Sequence, residues 1–159
     1  MTSRLFVVAL AGMALGCSQS PVVPKIGEQP IALSMAFSTT TLQLGKPDTI
    51  TVTVSNSFDQ TVQLLFDTQC QVLVTIRSLS GSVVVPPNGV RNCSPTASSM
   101  DLPAGGSITR RFIWTGTADF TPPGSSTALP AGSYFVSASI NATNYSTIAA
   151  AVRVELTTP

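Results

Sequence analysis

Through most of residues 49–76 every second residue is apolar, and that period limits what the chain can fold into more than any other feature. Ile50, Val52 and Val54 alternate with Thr49, Thr51 and Thr53. After a polar break at residues 55–60 the pattern resumes at Val62, Leu64 and Phe66, and after Asp67, Thr68, Gln69 and Cys70 it resumes at Val72, Val74 and Ile76. Strand side chains point to opposite faces with period two, so these are three strands with one buried and one wetter face. Breaks this short predict an antiparallel meander, whose apolar side needs a second sheet to cover it.

The rest of the chain supplies that sheet. Ile31, Leu33, Met35 and Phe37 predict a first strand, and Leu42 and Leu44 a short edge piece before a turn at residues 45–48. Residues 79–82 read as a hairpin turn into Val83, Val84 and Val85, and Pro86, Pro87, Asn88 and Gly89 stop that strand. A loop then runs to about Met100. The tetrad Leu-Pro-Ala-Gly occurs twice, at residues 102–105 and 129–132. Proline second and glycine fourth suit a type I turn, so each should launch a strand. The first would carry Ile108, Phe112 and Trp114, the second Tyr134, Val136, Ala138 and Ile140. Asn141 to Tyr145 would link the second to a last strand with Ile148, Ala150, Val152, Val154 and Leu156 on one face. No segment of useful length has helical periodicity. The prediction is an all-β domain, an antiparallel immunoglobulin-like β-sandwich of seven to nine strands, with a barrel as the competitor.

The first 17 residues carry an address. Arg4 precedes an apolar run, residues 5–15, too short to span a bilayer as a helix. Gly16 and Cys17 then resemble the end of a bacterial lipoprotein signal, in which a small residue precedes the cysteine that becomes lipidated. The resemblance implies a signal peptide at residues 1–16, an acylated Cys17 as membrane anchor, and an exported protein of the cell envelope, periplasmic or surface-facing. The competing reading is an ordinary cleaved signal with an incidental cysteine. Residues 17–30, rich in Pro, Ser and Gln, suit a tether, leaving residues 31–159 as the domain. Lipidation also explains the odd count of three cysteines, since it leaves Cys70 and Cys93 as a pair. In an exporting compartment their default state is a disulfide.

Within the domain, residues 51–56, 61–66 and 72–76, with the two Leu-Pro-Ala-Gly blocks leading to Trp114 and Tyr134, resemble in order the BsuPI family, the bacterial intracellular proteinase inhibitor domain. The resemblance covers roughly residues 33–140. It implies an antiparallel sandwich, and proteinase inhibition as a function.

Composition removes other classes. Lys plus Arg is 8 and Asp plus Glu is 7, and loss of Arg4 with the signal leaves 8 − 1 = 7 basic groups, a formally neutral chain with no nucleic-acid face. Histidine is absent, which removes the commonest general base and transition-metal ligand. There is no Gly-x-Ser-x-Gly elbow, and Asp48, Asp59, Asp67, Asp101 and Asp119 fall singly in turns. The expectation is no catalysis, no metal and no cofactor, and a monomer. Trp114 reads as a core aromatic rather than a stacking platform. The expected partner is another protein or an envelope component; the alternative is a protease, met by Asn88, Val90, Arg91 and Asn92 on a loop pinned by Cys93. The plainer reading of that loop is a long surface connection whose prolines and bridge limit its freedom.

Overall fold

The computed structural model describes residues 20–23, 30–120 and 127–159. The predicted signal peptide, Cys17 and most of the tether lie outside the described residues. Eleven strands are present among the described residues, against seven to nine expected.

The first sheet holds three antiparallel strands in the order β1 (Ile31–Phe37), β3 (Asp48–Asn56), β8 (Ser107–Trp114). The second runs β2 (Thr41–Gln43), β11 (Val152–Thr157), β9 (Gly132–Asn141), β5 (Leu73–Ser78), β6 (Val83–Val85), with β10 (Ser146–Ile148) also on β9. A separate ladder joins β4 (Val62–Phe66) to β7 (Ser98–Leu102). The fold is an immunoglobulin-like β-sandwich. Its period-two pattern places Ile50, Val52 and Val54 of β3 in one core with Val74 and Ile76 of β5, Val136, Ala138 and Ile140 of β9, and Val154 and Leu156 of β11. Trp114 is fully buried, and its ring meets Tyr134 edge-on at 6.1 Å and 81°. Its indole N–H donates to the Thr117 carbonyl at 2.7 Å. The Tyr134 hydroxyl donates to the Pro130 carbonyl at 2.6 Å, the tyrosine corner of immunoglobulin-like sandwiches.

The expected meander does not form. β3, β4 and β5 alternate as predicted, yet they belong to three different ladders and none pairs with another. Alternation reports which face is buried and says nothing about which strand lies alongside. The break after β3 is an arch fastened by the buried Asn56. Its side-chain amide donates to the carbonyls of Gln60 (2.8 Å), Leu102 (3.1 Å) and Pro103 (3.0 Å), while Oδ1 accepts from the Phe58 N–H at 3.0 Å. Those bonds carry the chain across to the β4–β7 ladder instead of folding it back on β3.

Four smaller expectations are also corrected. β7 begins at Ser98, inside the expected loop, because the ladder to β4 reaches Phe66 opposite Ser98, although only Met100 and Leu102 of the strand are buried. β2 runs parallel to β11, not antiparallel to a neighbour. The last strand is broken at residues 149–151, which puts Ala149 in the core and leaves Ile148 73% exposed. The turn of the first tetrad is closed by the Gly106 N–H to the Pro103 carbonyl at 2.9 Å, with Gly105 at φ 60 in its third position. The Gly105 N–H donates to the Phe58 carbonyl rather than to Leu102, so the hydrogen-bonded turn starts one residue later than expected, at Pro103, where a positive φ in the third position suits type II.

Part of the tether is also placed. Val22 forms a parallel bridge to Val62, donating to the Thr61 carbonyl at 2.7 Å and accepting from the Gln63 N–H at 3.0 Å.

Candidate functional site

The chain leaves β6 through the buried Pro86 and makes a single 3-10 turn, Pro87–Gly89. The Gly89 N–H donates to the Pro86 carbonyl at 3.0 Å and the Val90 N–H to the Pro87 carbonyl at 3.2 Å. Asn88 and Gly89 both have positive φ, 56° and 70°, a conformation that asparagine and glycine tolerate best. Three residues after the apex the chain is tied to the start of β5 by the Cys70–Cys93 disulfide, with Cα atoms 5.5 Å apart. The predicted bridge is present.

The four predicted loop residues divide. Asn88, Val90 and Asn92 face solvent, Val90 being 68% exposed. Arg91 instead folds back. Its guanidinium carbon lies 5.8 Å from the centre of the Phe120 ring, and Nη2 is buried with no hydrogen-bond partner. Burial pulls the guanidinium below its ordinary pKa, and the Asp119 carboxylate opposes the shift.

The floor under Arg91 was not legible in the sequence. It is set by relays from the core. Trp114 fixes Thr117, whose hydroxyl donates to the Asp119 carbonyl at 2.8 Å, and Asp119 Oδ1 accepts from the Phe120 N–H at 2.7 Å. Phe120 also packs on Phe112 of β8, ring centres 5.5 Å apart. Two clefts meet at Cys70 and Arg91. One, about 410 Å³, lies between residues 86–92 of the loop and Asp119. The other, about 320 Å³, lies between residues 69–73 and Arg110, Arg111 and Phe112 of β8. Adjacent residues on a strand face opposite ways, so Arg110 and Arg111 reach this cleft from the two faces of β8.

Among the described residues no group of three His, Cys, Asp or Glu side chains is placed to hold a metal. Asp48 accepts from the Ser38 hydroxyl and the Thr39 N–H, and Asp101 accepts from Gln63 Nε2 at 2.9 Å. These two carboxylates serve local structure.

No family model matches the sequence, and no curated protein matches it. Solved structures do. A CARDB domain from Pyrococcus furiosus, determined with di-metal ions, is 14% identical over 88% of this chain and 100% of that one, with a TM-score of 0.46. A β-glucosidase from Erythrobacter marinus is 13% identical over 80% of this chain, with a TM-score of 0.47, and this chain spans only 15% of its length. An alkylpurine DNA glycosylase from Pseudomonas fluorescens, bound to DNA containing an abasic site analog, is 11% identical over 80% of this chain and 30% of its own, with a TM-score of 0.48. These are likenesses of fold.

Proposed function

We propose that this chain is a non-catalytic lipoprotein of the bacterial cell envelope, anchored through acylated Cys17, whose sandwich domain binds another protein or an envelope component. The observation that supports it is the pinned loop of residues 86–93. A disulfide suits an oxidising compartment. A turn fastened at both ends presents Val90 at little ordering cost, beside a cleft large enough to receive a partner's side chain. The test places a photo-crosslinking residue at position 90 or, as a control, at position 139 on the outer face of β9, and compares products from envelope fractions. A product specific to position 90 supports the reading; identical products from both positions refute it.

A second reading, proteinase inhibition, is favoured by the same exposed apex and by the resemblance to the BsuPI family. In that reading Val90 enters the protease and Arg91 acts from behind as its support. Titration of subtilisin-type and trypsin-type proteases decides between the two. Stoichiometric inhibition lost in Val90→Asp supports the inhibitor, and undiminished protease activity at micromolar protein rules it out.

A further inference from the structure

The strand β8 is eight residues long and has one paired edge. Its phase follows from one hydrogen bond, the Asn56 N–H to the Gly106 carbonyl at 2.9 Å. In an antiparallel ladder, residues that exchange both bonds alternate with residues that exchange none. Combined with the β3–β8 register, that bond directs the backbone groups of Ile108, Arg110, Phe112 and Trp114 to β3. The N–H and C=O groups of Ser107, Thr109, Arg111 and Ile113 therefore point to the other side. Among the described residues no strand pairs there, and only the Thr109 carbonyl has a contact, from the Arg110 guanidinium at 3.4 Å.

Other edges are shorter or covered. β2, β6 and β10 have three residues each. On β4, Val22 and Asn144 take backbone groups of Gln63 and Leu65. On β1 the Tyr145 hydroxyl caps the Ile31 carbonyl at 2.9 Å; the rest of that seven-residue edge is open among the described residues, but the strand carries no charged side chain to select a partner.

The open edge of β8 is also one wall of the 320 Å³ cleft, with residues 69–73 opposite. Three arginines line it, Arg91, Arg110 and Arg111, and no acidic residue does. Among the described residues the one ion pair is Arg153 with Glu155, elsewhere on the domain. A row of backbone donors and acceptors that no described strand uses, beside arginines that make no salt bridge among the described residues, matches one kind of occupant, an extended chain carrying carboxylates.

We propose that the edge of β8 accepts an extended acidic segment of a partner protein, which adds as a strand with neighbouring carboxylates on Arg110 and Arg111. This rests on the binding-module reading and deepens it. Main-chain hydrogen bonds supply affinity, as in other strand additions, and the arginine doublet supplies selection. Because Arg110 and Arg111 face opposite sides of the sheet, two consecutive acidic residues are matched, one on each face. Ile113, 57% exposed, offers an apolar contact farther along.

The test uses the full chain in detergent and a short fluorescein-labelled peptide with two central glutamates flanked by alternating valine and threonine. Binding is followed by anisotropy and amide hydrogen exchange. Expected are slower exchange at Ser107, Thr109, Arg111 and Ile113, and an affinity loss of about tenfold or more in Arg110→Ala/Arg111→Ala. Thr109→Pro removes one outward N–H without touching charge or the β3 ladder, a position where an edge strand tolerates proline. It should abolish binding while Trp114 fluorescence stays native. The proposal is overturned if the peptide does not bind, if binding survives Thr109→Pro in a folded protein, or if inorganic polyphosphate binds as well without protecting those amides. It is also overturned if the double alanine variant self-associates but keeps its affinity for the peptide, because the arginines would then serve only to keep the edge from pairing. A crosslink from position 90 that persists in Thr109→Pro would leave the binding-module reading standing without this site.

Discussion

Replacing Asn56 by alanine should cost more than any other single polar substitution in the domain. Asn56 is 2% exposed, and its side chain makes four contacts to backbone groups of the arch and of the end of β7. The amide has two hydrogens for three carbonyls, so the four contacts amount to about three full bonds. At about 1 kcal/mol net for each, the loss is about 3 kcal/mol. In a domain of this size that lowers the melting temperature by about 10 °C. Urea unfolding read by Trp114, the chain's one tryptophan, measures it directly. Asn56→Asp sharpens the test. It keeps the acceptor for the Phe58 N–H but turns an acidic oxygen toward three carbonyls, which raises its folded-state pKa above the unfolded value of about 3.9. The folded state then holds more protons than the unfolded one. Stability should accordingly be highest at acid pH and fall as pH rises from about 4, the reverse of the usual carboxylate trend. A loss below about 1 kcal/mol in Asn56→Ala with an unchanged urea slope, or a stability of Asn56→Asp that rises with pH, would refute the arch as the device that separates β3 from β4.

Three further outcomes are expected. Cys70→Ala/Cys93→Ala opens a loop closed over 23 residues and should lower stability by about 3 kcal/mol; urea curves with and without reductant should converge on that variant. Gly116→Ala should lose about 2 kcal/mol in thermal unfolding, because residue 116 sits at φ 79 and a Cβ there would lie 2.7 Å from Leu156 Cδ1. Tyr134→Phe should cost about 1 kcal/mol by removing the bond to Pro130, and the change should show in the melting temperature. Burial raises the Tyr134 phenol above its ordinary value of 10.0, so the wild type should hold its stability below pH 10 and lose it as the phenol ionises above that, a loss absent from Tyr134→Phe.

The sequence was most informative where one residue decides one local outcome. Alternation marked the buried face of β3 correctly at Ile50, Val52 and Val54, both Leu-Pro-Ala-Gly blocks preceded strands, and cysteine arithmetic found the bridge. It failed where the outcome depends on a distant partner. Asn56 reads as an ordinary turn residue until the Leu102 and Pro103 carbonyls are seen beside it, 46 and 47 positions away. Ser98 and Ser99 look like loop because their strand is held by β4 rather than by an apolar run of its own. Ile148 continues the alternation of β11 on paper, but the break at residues 149–151 shifts the phase and sends it to solvent. At the site, Arg91 was found by its place near the bridge, yet its orientation is fixed by Phe120 and Asp119, which no pattern in residues 86–93 announces.

The bridge between Val22 and Val62 has a mechanical meaning. With Cys17 in the bilayer as proposed, the free leash is five residues long, 22 − 17, and reaches at most about 17 Å even when fully extended. That is little more than half the thickness of the hydrocarbon core. A sandwich on so short a leash would not sweep the space above the membrane; it would perch on the surface with the start of β4 lowermost. β4 then climbs from Val62 toward Phe66, and Cys70 with its pinned loop lies beyond that upper end. On that proposal a partner embedded in the same leaflet would meet the lower end of the domain, whereas the loop would face one arriving from outside.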